Sequence, residues 1–256
     1  MNNFFNLKRF GLLFKKHCAE HYKTYLMASA VLLGVFLLGG CFIVYLIEVP
    51  LETRLQSVLF VPIYFLAGAI FTSIIFTDIS DKKKAISALT LPASHFEKFL
   101  VGWLFSYAIF SLVFLGSFYL ILSLLLNLRH FPVTHISMFN VFSGPATLIF
   151  ILYTFLHSIT LYGAVLFERL HFIKTAFTFF VAVVVLTGLN TLFLEKLTGR
   201  EVRPTTPFAN LAIVDHNSYV AVRSIRVSEP IVGYMIIAAA IIFWVAAYYR
   251  LKEKQV

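Results

Sequence analysis

Six long apolar runs alternate along the chain with connections of very different polarity. The runs cover Tyr25–Ile47, Ser57–Thr77, Phe99–Leu126, Pro145–Phe167, Thr175–Leu194 and Ile231–Tyr249. A helix needs about 20 apolar residues to cross the roughly 30 Å hydrocarbon core of a bilayer, and each run is long enough to do so. None alternates strictly, and each far exceeds the roughly ten residues of a transmembrane β-strand. The pattern predicts an all-α integral membrane protein with six transmembrane helices. With no internal repeat or low-complexity tract, residues 1–256 read as a single transmembrane domain.

The connections carry the rest of the organisation. Before the first span, NNFFNLKRFGLLFKKHCAEHYK places Phe4, Leu7, Phe10, Gly11, Phe14 and Cys18 on one side of a helix. Lys8, Arg9, Lys15 and Lys16 fall on the other. That is the pattern of an amphipathic helix, over 3–18, lying in the membrane interface. Residues 78–98 are polar and form an elbow between spans two and three. Residues 128–144 are partly apolar and suited to dip back toward the interface. Glu168, Arg169 and His171 read as solvated residues of a tight turn. Residues 195–230 form the longest connection, in which two β-prone runs flank the turn-rich Asp215–Ser218, so a small hairpin or a partly helical cap both fit.

Composition agrees with the pattern. The chain is 60% hydrophobic and 13% charged, where soluble domains carry about 25% charged residues. Charge also orients it. With the N-terminus inside, the inner segments hold Lys8, Arg9, Lys15, Lys16, Lys23, Lys82, Lys83, Lys84, Lys98, Arg169, Lys174, Arg250, Lys252 and Lys254. The outer segments hold only Arg54, Arg129, Lys196, Arg200, Arg203, Arg223 and Arg226. The positive-inside rule therefore places both termini in the cytoplasm. Positive charge at membrane edges suits anionic headgroups and does not call for nucleic acid. The first span follows a polar, basic lead and is long enough to be retained, so no cleavable signal peptide is expected. Cys18 and Cys41 imply no disulfide framework.

Catalytic signatures are missing. No phosphate-cradling Gly-x-x-x-x-Gly-Lys-Ser/Thr loop, His-Glu-x-x-His helix or Gly-x-Ser-x-Gly elbow occurs. The sequence thus implies no ATP site and no enzymatic activity. His17 and His21 are spaced i, i+4 beside Cys18, but histidines are ordinary at an inner interface, and no metal site is expected. His130 and His135 have no diagnostic spacing. His157, flanked by Ser158 and Thr160, is the one histidine inside a span. Ionisable groups there are functional candidates because lipid exposure is costly. These three are the candidate pathway polar residues, although a histidine bonded to a neighbouring helix explains His157 equally well. Ala30 with Gly34, and Gly68 with Thr72, are small pairs that allow close helix packing.

In the elbow, Leu91-Pro92 breaks any preceding helix, because the residue before proline avoids helical geometry. A short helix over Lys82–Leu89 fits before that break. Ser94 and Glu97 then form a Ser-x-x-Glu capping box, opening a helix that runs into the third span. The segment TLPASHFEKFLVGWL, with the six-span layout and the amphipathic lead, resembles the membrane subunit of an ABC-2-type ABC transporter. The specific part of the resemblance is about fifteen residues, and the early elbow lacks the acidic-x-Gly-Thr run of that family. The resemblance implies a permease subunit of an exporter in the bacterial inner membrane, working as a dimer of identical or related copies. It implies that a separate ATPase subunit, carrying the ATP and Mg²⁺, docks on the elbow at Leu91, Pro92, Ala93, Ser94, His95, Phe96 and Glu97. It also implies a small external structure at 195–230. The alternative is a non-transporting scaffold or sensor that binds a cytoplasmic partner through the same elbow. An intramembrane enzyme built on His157 lacks a second catalytic group.

Overall fold

The computed structural model describes residues 5–46, 51–75, 93–128, 137–167, 170–206, 211–215, 218–222 and 228–253. Leu91, Pro92 and the rest of the elbow before Ala93, along with His130, His135, Glu168 and Arg169, lie outside the described residues.

Asn6 caps the first helix, its side-chain oxygen accepting from the backbone N–H groups of Lys8 and Arg9. From there α1 (Leu7–Cys41) runs for 35 residues, about 52 Å, and a π-helical turn, Phe42–Leu46, extends it. The interfacial helix expected over 3–18 is therefore not a separate element. No proline lies between Leu7 and Cys41, so nothing in the backbone stops the rod. Its early apolar face is also not spent on lipid alone. Phe10, Leu13, Phe14 and Cys18 pack on a cluster that contains Phe99 and Phe105, while Leu7 and Leu12 stay exposed.

The second span is α2 (Thr53–Ile75). The third is one unbroken rod of α3 (His95–Trp103), a π-helical stretch (Leu104–Ile109) and α4 (Phe110–Leu128). Then follow α5 (Gly144–Leu166), α6 (His171–Thr198) and α7 (Ser228–Glu253). Among the described residues, six helices are long and apolar enough to cross a membrane, and the chain is a multi-pass membrane protein. α5 sits centrally, packed against α7, α2 and α6, while α1 packs along α4. The main core is aromatic: Phe36, Phe60, Tyr64, Phe110, Phe114, Phe118 and Tyr153 are all buried. Rings meet largely edge-on or offset, the arrangements their quadrupoles favour.

Small residues set two of the helix approaches. A Cβ added at Gly68 would overlap the Tyr153 ring, and one at Gly163 would overlap Thr175. Gly34, of the other small pair, faces open space within this chain. Helix α6 buries only His171 and Thr175, so it leans on the bundle by its first turns alone. His171 is thus a packed residue rather than the solvated one expected.

The described end of the connection before α5, from residue 137, is held against α2 and α4. Gln56, fully buried, donates to the carbonyls of Leu51 and Ser137 at 2.6 and 3.1 Å and accepts from the Phe139 N–H at 2.6 Å. The Tyr119 hydroxyl holds the same segment by donating to the Phe139 carbonyl at 2.8 Å. Between α6 and α7, β1 (Leu211–Asp215) pairs antiparallel with β2 (Ser218–Val222), Asp215 opposite Ser218. Of the two expected forms, the described residues adopt the hairpin. Gly199, at φ 64°, ends α6 in the left-handed conformation that glycine adopts most readily.

Candidate functional site: the elbow node and the buried histidine

The elbow helix begins as its sequence dictates. The Glu97 N–H donates to Ser94 Oγ at 3.2 Å, and the Ser94 N–H donates back to Glu97 Oε2 at 2.9 Å, completing the capping box. The Glu97 carboxylate, fully buried, does more than cap. Arg9 Nε donates to Oε2 at 2.7 Å and Arg9 Nη2 to Oε1 at 2.8 Å, a two-pronged ion pair. The Asn6 N–H adds a bond to Oε1 at 2.7 Å. One carboxylate therefore ties together the caps of two helices 88 residues apart.

Aromatic rings reinforce the junction on both sides. Phe96 meets Phe5 edge-on at 6.2 Å, on the N-terminal side, and Tyr248 of α7 edge-on at 6.2 Å. Tyr248 also packs on Phe99 at 5.7 Å, and Phe14 on Phe105 at 4.9 Å. The elbow helix is thus held between the first turns of α1 and the last turns of α7. Ala93, Ser94, His95 and Phe96 are half-buried, and His95 Nδ1 has no hydrogen-bond partner among the described residues. Glu97 presents no exposed face; both its oxygens are engaged within the chain.

The candidate pathway residues lie deeper. His157 accepts at Nδ1 from the Trp244 indole N–H at 3.1 Å. A neutral ring accepting at Nδ1 carries its proton on Nε2, which donates to Ser106 Oγ at 2.9 Å. Ser106 belongs to the π-helical stretch, so the histidine joins three spans: α5, α7 and the third rod. Ser158 and Thr160 are buried and donate to carbonyls of their own helix, Phe155 for Ser158 and Leu156 or His157 for Thr160. Nearby, the Tyr107 hydroxyl pairs with Thr154 at 2.7 Å and the Tyr64 hydroxyl with Ser111 at 2.8 Å. The cluster is a satisfied polar seam that cross-links helices, the arrangement hydrocarbon demands of buried polar groups.

His157→Leu is expected to orphan the Trp244 N–H and cost about 1–2 kcal/mol, the range of interhelical hydrogen bonds in membranes. Trp103 and Trp244 are the only tryptophans, edge-on at 5.5 Å. Intrinsic fluorescence therefore reports on this seam, and the variant should shift its emission. Unchanged emission would mean that the indole does not bond the histidine.

The His17 and His21 rings pack at a tilt with centroids 4.6 Å apart, and His17 Nε2 bonds the Tyr25 hydroxyl at 2.6 Å. No group of three or more metal-ligating side chains occurs among the described residues. Arg9, Asn6, Tyr248, Ser106 and Trp244 were not singled out as site residues from the sequence. Asn6 alone carried a local signal, a capping side chain at a helix start. Comparison with family models, curated proteins and solved structures finds no match for this chain.

Proposed function

We propose that this chain is the membrane-spanning permease subunit of an ABC exporter, non-catalytic itself, dimeric, and driven by a separate ATPase docking on residues 78–98. In this reading it lies in a bacterial inner membrane with both termini in the cytoplasm. The observation that carries the proposal is mechanical. The elbow helix starts at a capped, braced end and continues without interruption into a 34-residue rod, about 51 Å long. An ATPase closing on nucleotide can move a membrane helix only through a stiff contact, and this rod is one.

The roles of the elbow residues then divide. Leu91, Pro92, Ala93, Ser94, His95 and Phe96 form the docking side, while Glu97 braces the lever through Arg9 and Asn6. His157 cross-links one subunit's bundle, while Ser158 and Thr160 spend their hydroxyls on their own helix. The path for substrate runs between two copies, past outward faces of α1, α2 and α6.

Pro92→Asp tests the reading. Wild type purified from its native cells should carry a nucleotide-binding subunit whose ATP hydrolysis can be measured. The variant should lose that subunit while eluting as the same folded species. If no ATPase accompanies the wild type in several detergents, the transporter proposal fails and a scaffold or sensor takes its place.

A further inference from the structure

We propose that the third spanning rod is a two-register helix, a conformational switch built into the span. The one surplus residue held in its π-helical stretch, Leu104–Ile109, can pass toward the elbow. That shift withdraws Ser106 from His157 and Phe105 from α1 while the span stays helical.

The surplus is visible in the spacing of the buried face. Val101, Phe105, Phe110, Phe114, Phe118 and Leu122 are all buried, and each follows the last by four residues except Phe110, which follows by five. Four residues of α-helix turn about 400°, so such positions stay within about 40° of one another. Five turn about 500° and would leave Phe105 and Phe110 about 140° apart. A π turn absorbs one residue and closes that gap, because it bonds i to i+5. The Phe110 N–H accordingly donates to the Phe105 carbonyl.

The place one turn before Phe110 is therefore contested. Phe105 fills it here through the π bond, whereas Ser106, four residues before Phe110, would fill it in a plain α-helix. The Ser106 carbonyl is the group passed over: the Phe110 N–H, its α-helical donor, goes to the Phe105 and Tyr107 carbonyls instead. The Tyr153 hydroxyl reaches that carbonyl at 3.5 Å, long for an O–H···O bond. Moving the surplus returns the Phe110 N–H to it, so the second register has a backbone bond to offer in exchange.

Side chains hold the present register. Ser106 Oγ accepts from His157 Nε2 at 2.9 Å, and Phe105 packs on Tyr25 and Phe14 of α1 at 5.5 and 4.9 Å. A surplus residue passing them turns both side chains by about 100° and breaks both contacts together. The ends of the rod stay in place, Glu97 on Arg9 at one and Phe114 on Phe36 and Phe60 toward the other. The switch belongs to this chain and does not depend on what docks on the elbow.

Amide hydrogen exchange of the full chain in lipid nanodiscs, read residue by residue by fragmentation mass spectrometry, tests this. A migrating surplus opens each backbone bond it crosses. Exchange is therefore expected to be several-fold faster than over Phe114–Ile121 both within Leu104–Ile109 and elbow-ward of it, over Val101–Trp103. Deleting Ala108 removes the surplus, restores the four-residue spacing and should protect the whole of 101–110. Phe105→Ser with Ser106→Phe favours the second register and should move the fast window off 106–110 toward the elbow. A wild-type window confined to Leu104–Ile109 means a static bulge and overturns the proposal, whether or not either variant folds. So does a folded deletion variant that keeps the wild-type window.

Discussion

Arg9→Ala is expected to loosen the elbow side of the protein more than any other single truncation there. The change leaves the Glu97 carboxylate buried, with only the Asn6 and Ser94 N–H groups as donors. Removing one partner of this part-buried pair is costlier than removing both charges, because Glu97 stays enclosed with its counter-charge gone and only the water that enters from the partly exposed Arg9 side. Three variants separate the terms. Arg9→Lys keeps the charge but loses the two-pronged geometry and should fall between wild type and alanine. Glu97→Gln removes the charge while keeping an oxygen for the cap. Arg9→Met with Glu97→Gln should recover part of the loss of Arg9→Ala, a non-additivity expected of directly bonded partners. Thermal unfolding in detergent, followed by size-exclusion recovery, ranks the four, and limited proteolysis should show earlier cleavage before residue 20 in Arg9→Ala. If Arg9→Ala melts with wild type, the carboxylate is solvated and the brace between α1 and the elbow does not exist. Under the proposed exporter reading the brace carries one further expectation: Arg9→Ala should weaken the nucleotide-stimulated turnover of an ATPase that still co-purifies.

What the sequence revealed follows the range of each interaction. Six spanning helices were legible because crossing a bilayer requires a long apolar run, and that requirement is local. The Ser94–Glu97 box was legible for the same reason, its two members being three residues apart. The hairpin around Asp215–Ser218 was one of two readings, since short β-prone runs flanking a turn do not exclude a helical cap. Arg9 was legible only as one positive charge on the polar face of the N-terminal helix. It sits in a basic run, and its carboxylate partner lies 88 residues away. His157 was legible as unusual, and a bond to a neighbouring helix was one of its two readings. Its partners, 51 and 87 residues distant, carry no sequence signal of their own. The unbroken α1 was hidden by composition. A switch from charged to apolar residues marks the membrane edge, but only a backbone breaker ends a helix.

The small-residue pairs give the sharpest contrast of expected outcomes, because the two looked alike in sequence and differ in surroundings. At Gly68 a single added Cβ overlaps the ring of Tyr153. That ring is fully buried and stacked on Tyr64 with centroids 4.1 Å apart, and it also faces Tyr107 and Phe110. It has nowhere to go without displacing its neighbours. Gly68→Ala gains about 1 kcal/mol of helix propensity. Overpacking costs about 1–3 kcal/mol, and rigid rings place this site at the upper end of that range. The net change should be a loss, and Gly68→Leu should lose more, since the whole side chain must enter the α2–α5 contact. Gly34→Ala meets nothing within this chain and should keep its propensity gain, raising stability by up to about 1 kcal/mol. Unfolding of the three variants in bicelles measures the difference directly. A neutral Gly68→Ala would mean that α2 and α5 stand further apart in the membrane. A destabilising Gly34→Ala would mean that the face of α1 left open here is covered by another molecule, and a second copy docked on α1 would then be the first candidate.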